Sequence, residues 1–339
     1  MSDIRKDRLH DHYVLIAPER MRKPDTLGNT AVGEPIDDCP FCEGHEGMTP
    51  PEIYAIRSNE ANAMHWSVRV IPNLYKAVQI ELDNHSDIDG MFESRLGLGA
   101  HEIVIDTPQH DGRLSTMKVT QISDWLQAIS ERISDLKADK RLIYASVFKN
   151  HGTSSGATQF HPHTQIIALP VMPQSLLKRL ERGLQYYRRH GRSRLEDILV
   201  NELKAEVRIV SKKGTFTAFC PFASSYPFEV MIASTSESTS LYKLNRDDIG
   251  HLASLIQEVF QRLEAELGNF NYNLAFDMAP LNSNFENEPF MPQLEKYYRM
   301  NIRIMPRIYR LGGFELSTGI FINPVAPEEA AKLLRETKI

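Results

Sequence analysis

The fold is decided by the stretch Phe148-Lys149-Asn150-His151-Gly152-Thr153-Ser154-Ser155-Gly156-Ala157-Thr158-Gln159-Phe160-His161-Pro162-His163-Thr164-Gln165-Ile166-Ile167-Ala168. An apolar run over Leu142 to Phe148 predicts a strand, a loop of small polar residues with two glycines follows, and a second apolar run closes the stretch. Alternate side chains of an extended chain share a face, so His161, His163 and Gln165 should point the same way. Pro162 has no N–H, which predicts an edge strand or a strand that begins near this residue.

The two histidines and the amide suit chemistry on a phosphoryl group. Imidazole works near neutral pH as a nucleophile, a base or a metal ligand. His161 and His163 should lie about 7 Å apart at the backbone, so both could bind one metal, or one could bind while the other attacks. The preceding loop offers N–H groups and hydroxyls without bulk, which suits a phosphate. Gln165 can donate to a phosphoryl oxygen without giving a proton to a leaving group.

A pair of cysteines, Cys39-Pro40-Phe41-Cys42, can present two thiolates to one tetrahedral metal. A redox role is disfavoured because no thioredoxin-like βαβ pattern surrounds the pair. Two more ligands are needed, and the chain has twelve histidines, among them His45, His101, His110 and His161. With three cysteines and no disulfide framework, we expect a reducing, cytoplasmic compartment.

Length and charge exclude some classes of protein. The 339 residues are enough for two domains or one large one. The net charge of −5 gives no electrostatic footprint for nucleic acid. No apolar run approaches the ~20 residues of a membrane span, and no signal peptide is visible. We therefore expect neither a nucleic-acid partner nor a membrane.

The chain reads as two similar halves. Helical periodicity predicts helices over Val119–Asp139, Leu177–Tyr187, Leu195–Leu203 and Asp247–Leu267. Strands are expected over Ser67–Tyr75, Glu206–Val210, Tyr272–Phe276 and Tyr298–Met305. From Glu206 the order strand, turn, strand, long helix and strands echoes the first half, which indicates two copies of one α/β unit.

The pattern Asn-x-Gly-x-x-x-Gly-x-Thr-x-x-His-Pro-His-x-Gln, from Asn150 to Gln165, resembles the active-site segment of the galactose-1-phosphate uridylyltransferase branch of the histidine-triad superfamily. This branch includes ADP-glucose phosphorylase and is related to diadenosine tetraphosphate phosphorylases. The resemblance extends from about Arg5 to Glu336. It implies an α+β fold of two histidine-triad-like domains, residues 1–205 and 206–339, each an antiparallel sheet with packed helices.

The resemblance also implies roles for individual residues. His163 would be the nucleophile that forms a nucleotidyl-histidine, and Gln165 would hold the phosphoryl oxygens and favour transfer over hydrolysis. Zn²⁺ would be bound, within the N-terminal domain, by Cys39, Cys42, His110 and His161. Substrate contacts would come from Arg20, Asn73, Asn150, Gly152, Gly156, Thr158, Phe314 and Glu315. Lys23 is a weaker match near Arg20.

Several of these residues have simpler interpretations. Arg20 could be a solvated surface cation, and Asn73 could be a turn-forming residue. Phe314 and Glu315 could be a packing aromatic beside a surface carboxylate. His45 and His101 are interpreted as solvated or hydrogen-bonded side chains.

Two departures from the family pattern bear on function. Tyr298-Arg299-Met300-Asn301 stands where many relatives carry a His-x-His pair that in some binds a second metal, so no second metal site is predicted. Phe321 stands near a Gln that in some uridylyltransferases touches the hexose, which argues against galactose as the acceptor.

The predicted function is nucleotidylyl transfer between nucleotide sugars and hexose 1-phosphates, through a nucleotidyl-His163 intermediate in a homodimer. One alternative is a phosphorylase in which inorganic phosphate accepts the nucleotidyl group from ADP-glucose or a dinucleoside polyphosphate. An alternative from another class is a non-enzymatic, zinc-stabilised nucleotide-binding module.

Overall fold

The structure, a computed structural model, describes residues 2–22, 38–283 and 290–339. Lys23 lies outside the described residues. The strands are β1 (Asp3–Lys6), β2 (Tyr13–Ile16), β3 (Tyr54–Arg57), β4 (Trp66–Pro72), β5 (Ser86–Asp89), β6 (Phe92–Arg95), β7 (Ala100–Ile105), β8 (Tyr144–His151), β9 (His163–Leu169), β10 (Ile209–Lys213), β11 (Phe216–Phe219), β12 (Val230–Ser234), β13 (Tyr272–Asp277), β14 (Asn301–Pro306) and β15 (Phe321–Asn323). The α-helices are α1 (Val119–Ala138), α2 (Gln174–His190), α3 (Arg194–Ala205), α4 (Arg246–Leu267), α5 (Leu294–Tyr297), α6 (Gly313–Thr318) and α7 (Pro327–Glu336).

One sheet of ten strands organises the molecule, in the order β10-β11-β12-β14-β13-β8-β9-β7-β4-β3. Every neighbouring pair is antiparallel. Read inward from each edge, the strands of the N-half (β3, β4, β7, β9, β8) and of the C-half (β10, β11, β12, β14, β13) follow the same order. The two halves join where β8 pairs with β13, with Phe148 opposite Ala275. The predicted α+β fold of two similar antiparallel units is confirmed.

The main core lies on one face of this sheet. Helices α1 and α4 pack there with α7, and one apolar cluster runs from Val70 in the N-half to Ile304 in the C-half. The predicted helices over Val119–Asp139 and Asp247–Leu267 match α1 and α4 closely, because their apolar stripes face this core.

The opposite face differs between the halves. On the C-half it is covered by α3, whose Leu199 packs with Phe219 and Met231, and by α2, which packs against α5. A capping box of Ser193 and Glu196 begins α3. On the N-half this face carries the predicted site. The boundary at 205/206 stays a prediction, and α2 and α3 pack on C-half elements.

The strand expected over Tyr298–Met305 begins later, at Asn301. The N–H of Tyr298 donates to the Leu294 carbonyl and closes α5, so the chain turns into the sheet only after this residue.

Two smaller sheets complete the fold. Strands β1, β2 and β15 bring together the N-terminal and C-terminal segments, and β5 and β6 form a separate hairpin. Among the described residues, no helix combines the length and apolar composition that a membrane crossing requires.

Candidate active site and metal centre

Strand β9 carries the predicted nucleophile in the middle of the sheet. It begins at His163, directly after Pro162, as predicted, and lies between β7 and β8. His163 is opposite Ile105, and Gln165 is opposite both Ile103 and Phe148. The side chains of β9 that face away from the core open onto a cavity of about 380 Å³, whose lining includes Asn73, Thr158, His163 and Gln165.

The ring of His163 has one nitrogen committed and one free. Its Nδ1–H donates to the carbonyl oxygen of His161 at 2.9 Å, which leaves the Nε2 lone pair for the cavity. Burial lowers the pKa of His163, and the nearby Lys149 cation lowers it further, against the raising effect of the bond to His161. The rings of Phe41 and His163 are packed edge to face, with their centroids 5.7 Å apart. The site therefore holds a neutral imidazole with an available electron pair.

A buried ion pair supports this strand from the core side. Lys149 Nζ lies 2.7 Å from Asp106 Oδ2, and it also donates to the carbonyl oxygen of His163 at 3.3 Å. Trp125 Nε1–H donates to Thr164 Oγ1 at 2.9 Å. These contacts hold the His163 carbonyl and the Thr164 side chain from the core side. Because neighbouring residues of a strand face opposite ways, the His163 ring is left on the other side, toward the cavity.

The four predicted zinc ligands converge. The ligand atoms of Cys39, Cys42, His110 and His161 lie within 4.8 Å of one another. The separations are 3.4 Å for Cys42 Sγ to His110 Nδ1, 3.6 Å for Cys42 Sγ to His161 Nδ1, and 3.7 Å for Cys39 Sγ to His161 Nδ1. A tetrahedral zinc with Zn–S of about 2.3 Å and Zn–N of about 2.0–2.1 Å requires a sulfur–nitrogen separation of about 3.6 Å.

The protonation of the cluster also fits a cation. His161 Nε2–H donates to the Thr107 carbonyl at 2.8 Å, which leaves Nδ1 unprotonated toward the sulfurs. Burial lowers the pKa of His161 to about 4, so this ring is neutral. Burial, together with the neighbouring Cys39, raises the pKa of the Cys42 thiol to about 11, an effect that a cation between the sulfurs would reverse. The donor set thus fits zinc.

The orientation of Gln165 is set by His101. His101 Nδ1 accepts the Ala77 N–H at 3.1 Å, so the ring proton must be on Nε2. That Nε2–H donates to Gln165 Oε1 at 3.0 Å. Asn73 Nδ2 lies 3.0 Å from the same nitrogen but, being a donor itself, forms no hydrogen bond with it in this tautomer. Since the amide oxygen of Gln165 is engaged, its NH₂ group is the part left to donate into the cavity.

The glycine loop between β8 and β9 is built on two left-handed residues. Gly152 has φ 79° and Gly156 has φ 87°, conformations that favour glycine. The N–H groups of Ser155, Gly156 and Ala157 are hydrogen-bonded inside the loop. Asn273, from β13 of the C-half, donates to Asn150 Oδ1 at 2.8 Å and to the Ser155 carbonyl at 2.9 Å. The C-half therefore supports the glycine loop of the N-half.

Six of the eight predicted substrate residues do not line this cavity, and they are Arg20, Asn150, Gly152, Gly156, Phe314 and Glu315. Arg20 is exposed and donates to the Tyr309 hydroxyl at 3.4 Å. Glu315 is buried and accepts the Gly312 N–H at 2.9 Å, and Phe314 is 42% exposed on α6. The structure thus groups Asn73, Thr158, His163 and Gln165 around the cavity. The loop residues Asn150, Gly152 and Gly156 are outside its lining, as are Arg20, Phe314 and Glu315. The substrate contacts of all these residues stay predictions.

Sequence analysis gave no role to three residues that shape the site. These are His101, Phe41 and Gln159, which donates to Cys39 Sγ at 3.1 Å and lines the cavity. The interpretation of His101 as a hydrogen-bonded side chain is confirmed. Alternation along β7 offered a signal for His101. His101, Ile103 and Ile105 lie on the same face of the sheet as His163 and Gln165 of the neighbouring strand β9.

Comparison with known proteins identifies relatives over nearly the whole chain. The family models described as the N-terminal and C-terminal domains of galactose-1-phosphate uridyl transferase match residues 1–173 and 180–337. ADP-glucose phosphorylase of Arabidopsis thaliana is 31% identical over 99% of this chain and 93% of its own length. Galactose-1-phosphate uridylyltransferase of Thermotoga maritima is 26% identical over 100% of this chain and 99% of its own length.

A solved structure extends the likeness to three dimensions. The crystal structure of an Arabidopsis thaliana ADP-glucose phosphorylase with bound ADP-glucose has a TM-score of 0.83 and 30% identity, and the match covers 100% of both chains. These relatives are named as a phosphorylase and a uridylyltransferase, and this chain is likewise an enzyme. The protein belongs to the galactose-1-phosphate uridylyltransferase family.

Proposed function

We propose that the enzyme transfers a nucleotidyl group from a nucleotide sugar through a covalent bond to His163 Nε2. The observation that carries this proposal is the bond from His163 Nδ1–H to the His161 carbonyl, which turns a free Nε2 lone pair toward the cavity. In the first step this lone pair attacks the α-phosphorus, and the bond to the bridging oxygen breaks. Sugar 1-phosphate leaves with the electron pair, and the proton stays on His163 Nδ1, hydrogen-bonded to the His161 carbonyl.

In the second step an acceptor phosphate oxygen attacks the same phosphorus. The P–N bond breaks and returns its electron pair to Nε2. The amide NH₂ of Gln165, oriented by His101, donates to the non-bridging oxygens in both steps, where charge accumulates. A neutral amide neither takes up nor supplies a proton, so Gln165 cannot activate water and does not promote hydrolysis.

We propose inorganic phosphate as the acceptor and ADP-glucose as the donor, which gives ADP and glucose 1-phosphate. The similarity to ADP-glucose phosphorylase over nearly the whole chain supports this choice.

Transfer of uridylyl groups to galactose 1-phosphate is the second candidate. The description of both family models and the uridylyltransferase of Thermotoga maritima favour it. The same His163 chemistry would serve both reactions, which differ in the base and in the acceptor.

Cys39, Cys42, His110 and the ring of His161 would hold a zinc ion, and the backbone carbonyl of His161 accepts the hydrogen bond from His163 Nδ1–H. Zinc there would supply structural rigidity, because four protein ligands would leave no open position for water. The thiols require a reducing compartment, which supports the proposed cytoplasmic location.

We also propose a homodimer in which each cavity is completed by the partner subunit. Arg20, Phe314 and Glu315 are separated from the cavity of their own chain, with Arg20 held at Tyr309 and Glu315 at Gly312. If they contact substrate, a second copy must bring them. Mixing His163→Ala and Glu315→Ala chains by co-expression tests this, since mixed dimers should regain up to one functional site.

The covalent step is tested by incubating the enzyme with ADP-glucose labelled at the α-phosphate, without any acceptor. We expect one equivalent of glucose 1-phosphate to be released and the label to reside on His163. Added phosphate should then release labelled ADP. Parallel reactions with UDP-glucose and galactose 1-phosphate separate the two candidates. A labelled His163→Ala protein would refute the mechanism, whichever substrate pair is used.

A further inference from the structure

A second cavity lies on the C-half at the place that corresponds to the candidate active site. Cross-strand pairs form one continuous row through eight strands, and its members are Ile71, Ile103, Gln165, Phe148, Ala275, Arg303, Met231 and Phe219. The row is symmetric about the Phe148–Ala275 pair. Its register makes Ile71 equivalent to Phe219, Ile103 to Met231 and Gln165 to Arg303.

The two cavities use these equivalent positions as walls. Ile71 and Ile103 line the cavity at His163, and Phe219 and Met231 line a cavity of about 500 Å³ on the C-half. The correspondence extends into the loops after β4 and β11. Asn73, Leu74 and Tyr75 line the first cavity, and the residues at the same distance beyond Phe219, which are Pro221, Phe222 and Ala223, line the second.

The residues of β14 equivalent to His163 and Gln165 cannot repeat the proposed transfer. The position equivalent to His163 is Asn301, whose amide donates to Asp277 Oδ2 at 3.1 Å. Arg303, equivalent to Gln165, lies 2.6 Å from Glu229 Oε1. Neither side chain is a nucleophile, so the covalent step proposed for His163 has no counterpart on β14.

The lining suits a ligand that combines a planar ring with separate, negatively charged groups. Its floor is apolar, with Leu195, Phe219 and Met231 all buried. The lining also carries four carboxylates, and each has a partner. Asp11 pairs with Lys6 and Glu202 with Arg208, at 3.0 Å each, while Asp7 bonds to His10 at 2.8 Å and Asp197 pairs with Arg192.

Two arginines at the rim, Arg8 and Arg194, form no ion pair with any described residue. Arg194 donates only to the carbonyls of Arg8 and Arg182 and lies 5.7 Å over the Tyr186 ring. Burial lowers the pKa of Arg194, an effect that a bound anion would offset.

We propose that the C-half cavity is a second, non-catalytic nucleotide-binding site, with the base on the apolar floor and the phosphates at Arg8 and Arg194. Its volume is within the range of small-ligand pockets. Binding there does not depend on the transfer reaction proposed above, so the test uses ADP and reads occupancy instead of turnover.

Two tryptophan substitutions at equivalent positions of the row separate the sites. Ile103→Trp fills the first cavity and Met231→Trp the second. In calorimetric titration with ADP, we expect two sites per chain for the native enzyme, one for each single variant and none for the double variant. Met231→Trp should keep the covalent labelling by ADP-glucose. One ADP per chain that Ile103→Trp abolishes would overturn the proposal.

A surface substitution covers the case in which a tryptophan disturbs folding. Arg8 is exposed, so Arg8→Ala should fold normally and weaken ADP at the second site about tenfold or more, since hydrogen bonds to charged groups contribute strongly. Lys332→Ala removes another exposed cation, on α7, and should change neither site. Equal ADP affinities in the two variants would refute the role of Arg8 and with it the site. Repeating the titration with UDP shows whether the site discriminates between bases.

Discussion

Strands β9 and β14 have equivalent places in the sheet but opposite chemistry. On β9, His163 keeps one nitrogen free and Gln165 keeps its NH₂ free. On β14, the equivalent Asn301 is bonded to Asp277 and Arg303 is paired with Glu229. Asp277 is in turn paired with Arg179.

The difference lies in where the unpaired polar atoms are placed. Around β14 the amide NH₂ of Asn301 and the guanidinium of Arg303 bond to carboxylates, while Asn301 Oδ1 is buried without a partner among the described residues. Around β9 the bonds are made on the far side of each group, by the His161 carbonyl and by His101, so that the near side faces the cavity. The same backbone arrangement therefore presents an imidazole lone pair to a cavity in one half and carboxylate-bound side chains in the other.

The largest expected effect comes from giving β9 the residue of β14. His163→Asn removes the proposed nucleophile while keeping a polar side chain, and activity should fall by about 10⁴-fold or more, since loss of a covalent catalyst is not compensated by its neighbours. Covalent labelling by ADP-glucose should disappear. The converse change, Asn301→His, should leave labelling at one equivalent per chain; a second labelled histidine would contradict the comparison.

The next largest effect is on stability and belongs to the C-half. Asp277→Asn leaves the Arg179 guanidinium buried without its counter-charge, which should lower the free energy of unfolding by about 3–5 kcal/mol. Urea denaturation measures this. Asn150→Ala, at the equivalent position on β8, removes no charge and should cost clearly less; equal losses would show that the C-half network is not the stabilising one.

The same pair predicts a pH dependence. The pKa of Asp277 is lowered to about 2, through its charge interaction and hydrogen bond with Arg179, which outweigh burial. A carboxyl with a lowered folded pKa contributes stability above its unfolded pKa of about 3.9 and loses it as the pH falls toward the folded value. The stability difference between the native enzyme and Asp277→Asn should therefore narrow between about pH 5 and pH 2. A constant difference over this range would mean that the carboxylate is not the source.

Removal of a metal ligand should have a smaller effect on catalysis. Cys42→Ala should release the metal, measured by elemental analysis, and lower activity by about 10–100-fold, because the support of His163 through His161 loosens. Cys220→Ala is the matched change in the C-half, where the thiol is fully buried and outside the cluster. It should leave metal content and activity unchanged. Full activity in metal-free Cys42→Ala protein would exclude the supporting role.

The metal cluster and the start of β9 could be predicted from the sequence, and the features that could not be predicted share a physical cause. The four predicted metal ligands come from three separated segments, and the structure brings them together as a cluster that could hold a metal ion. The start of β9 follows from the missing N–H of Pro162. These features depend on local chemistry that a sequence states directly.

Other features depend on register, which the sequence does not state. The joining of the two halves into one sheet rests on the pairing of β8 with β13, and so does the support of the glycine loop by Asn273. The later start of β14 depends on how Tyr298 closes α5. The contact between His101 and Gln165 also requires β7 to pair with β9 in one particular alignment.

The smallest predicted effect tests that last contact. His101→Ala should lower kcat about 3- to 10-fold with little change in KM, since one hydrogen bond that orients Gln165 is lost while the cavity stays. His101→Gln can still donate to Gln165 Oε1 and should recover most of the rate. Gln165→Ala should be slower than either, and His101→Ala should add little on that background, because the two side chains act as one unit. Fully additive losses in the double variant would show that His101 acts elsewhere, and the asymmetry between β9 and β14 would then rest on His163 alone.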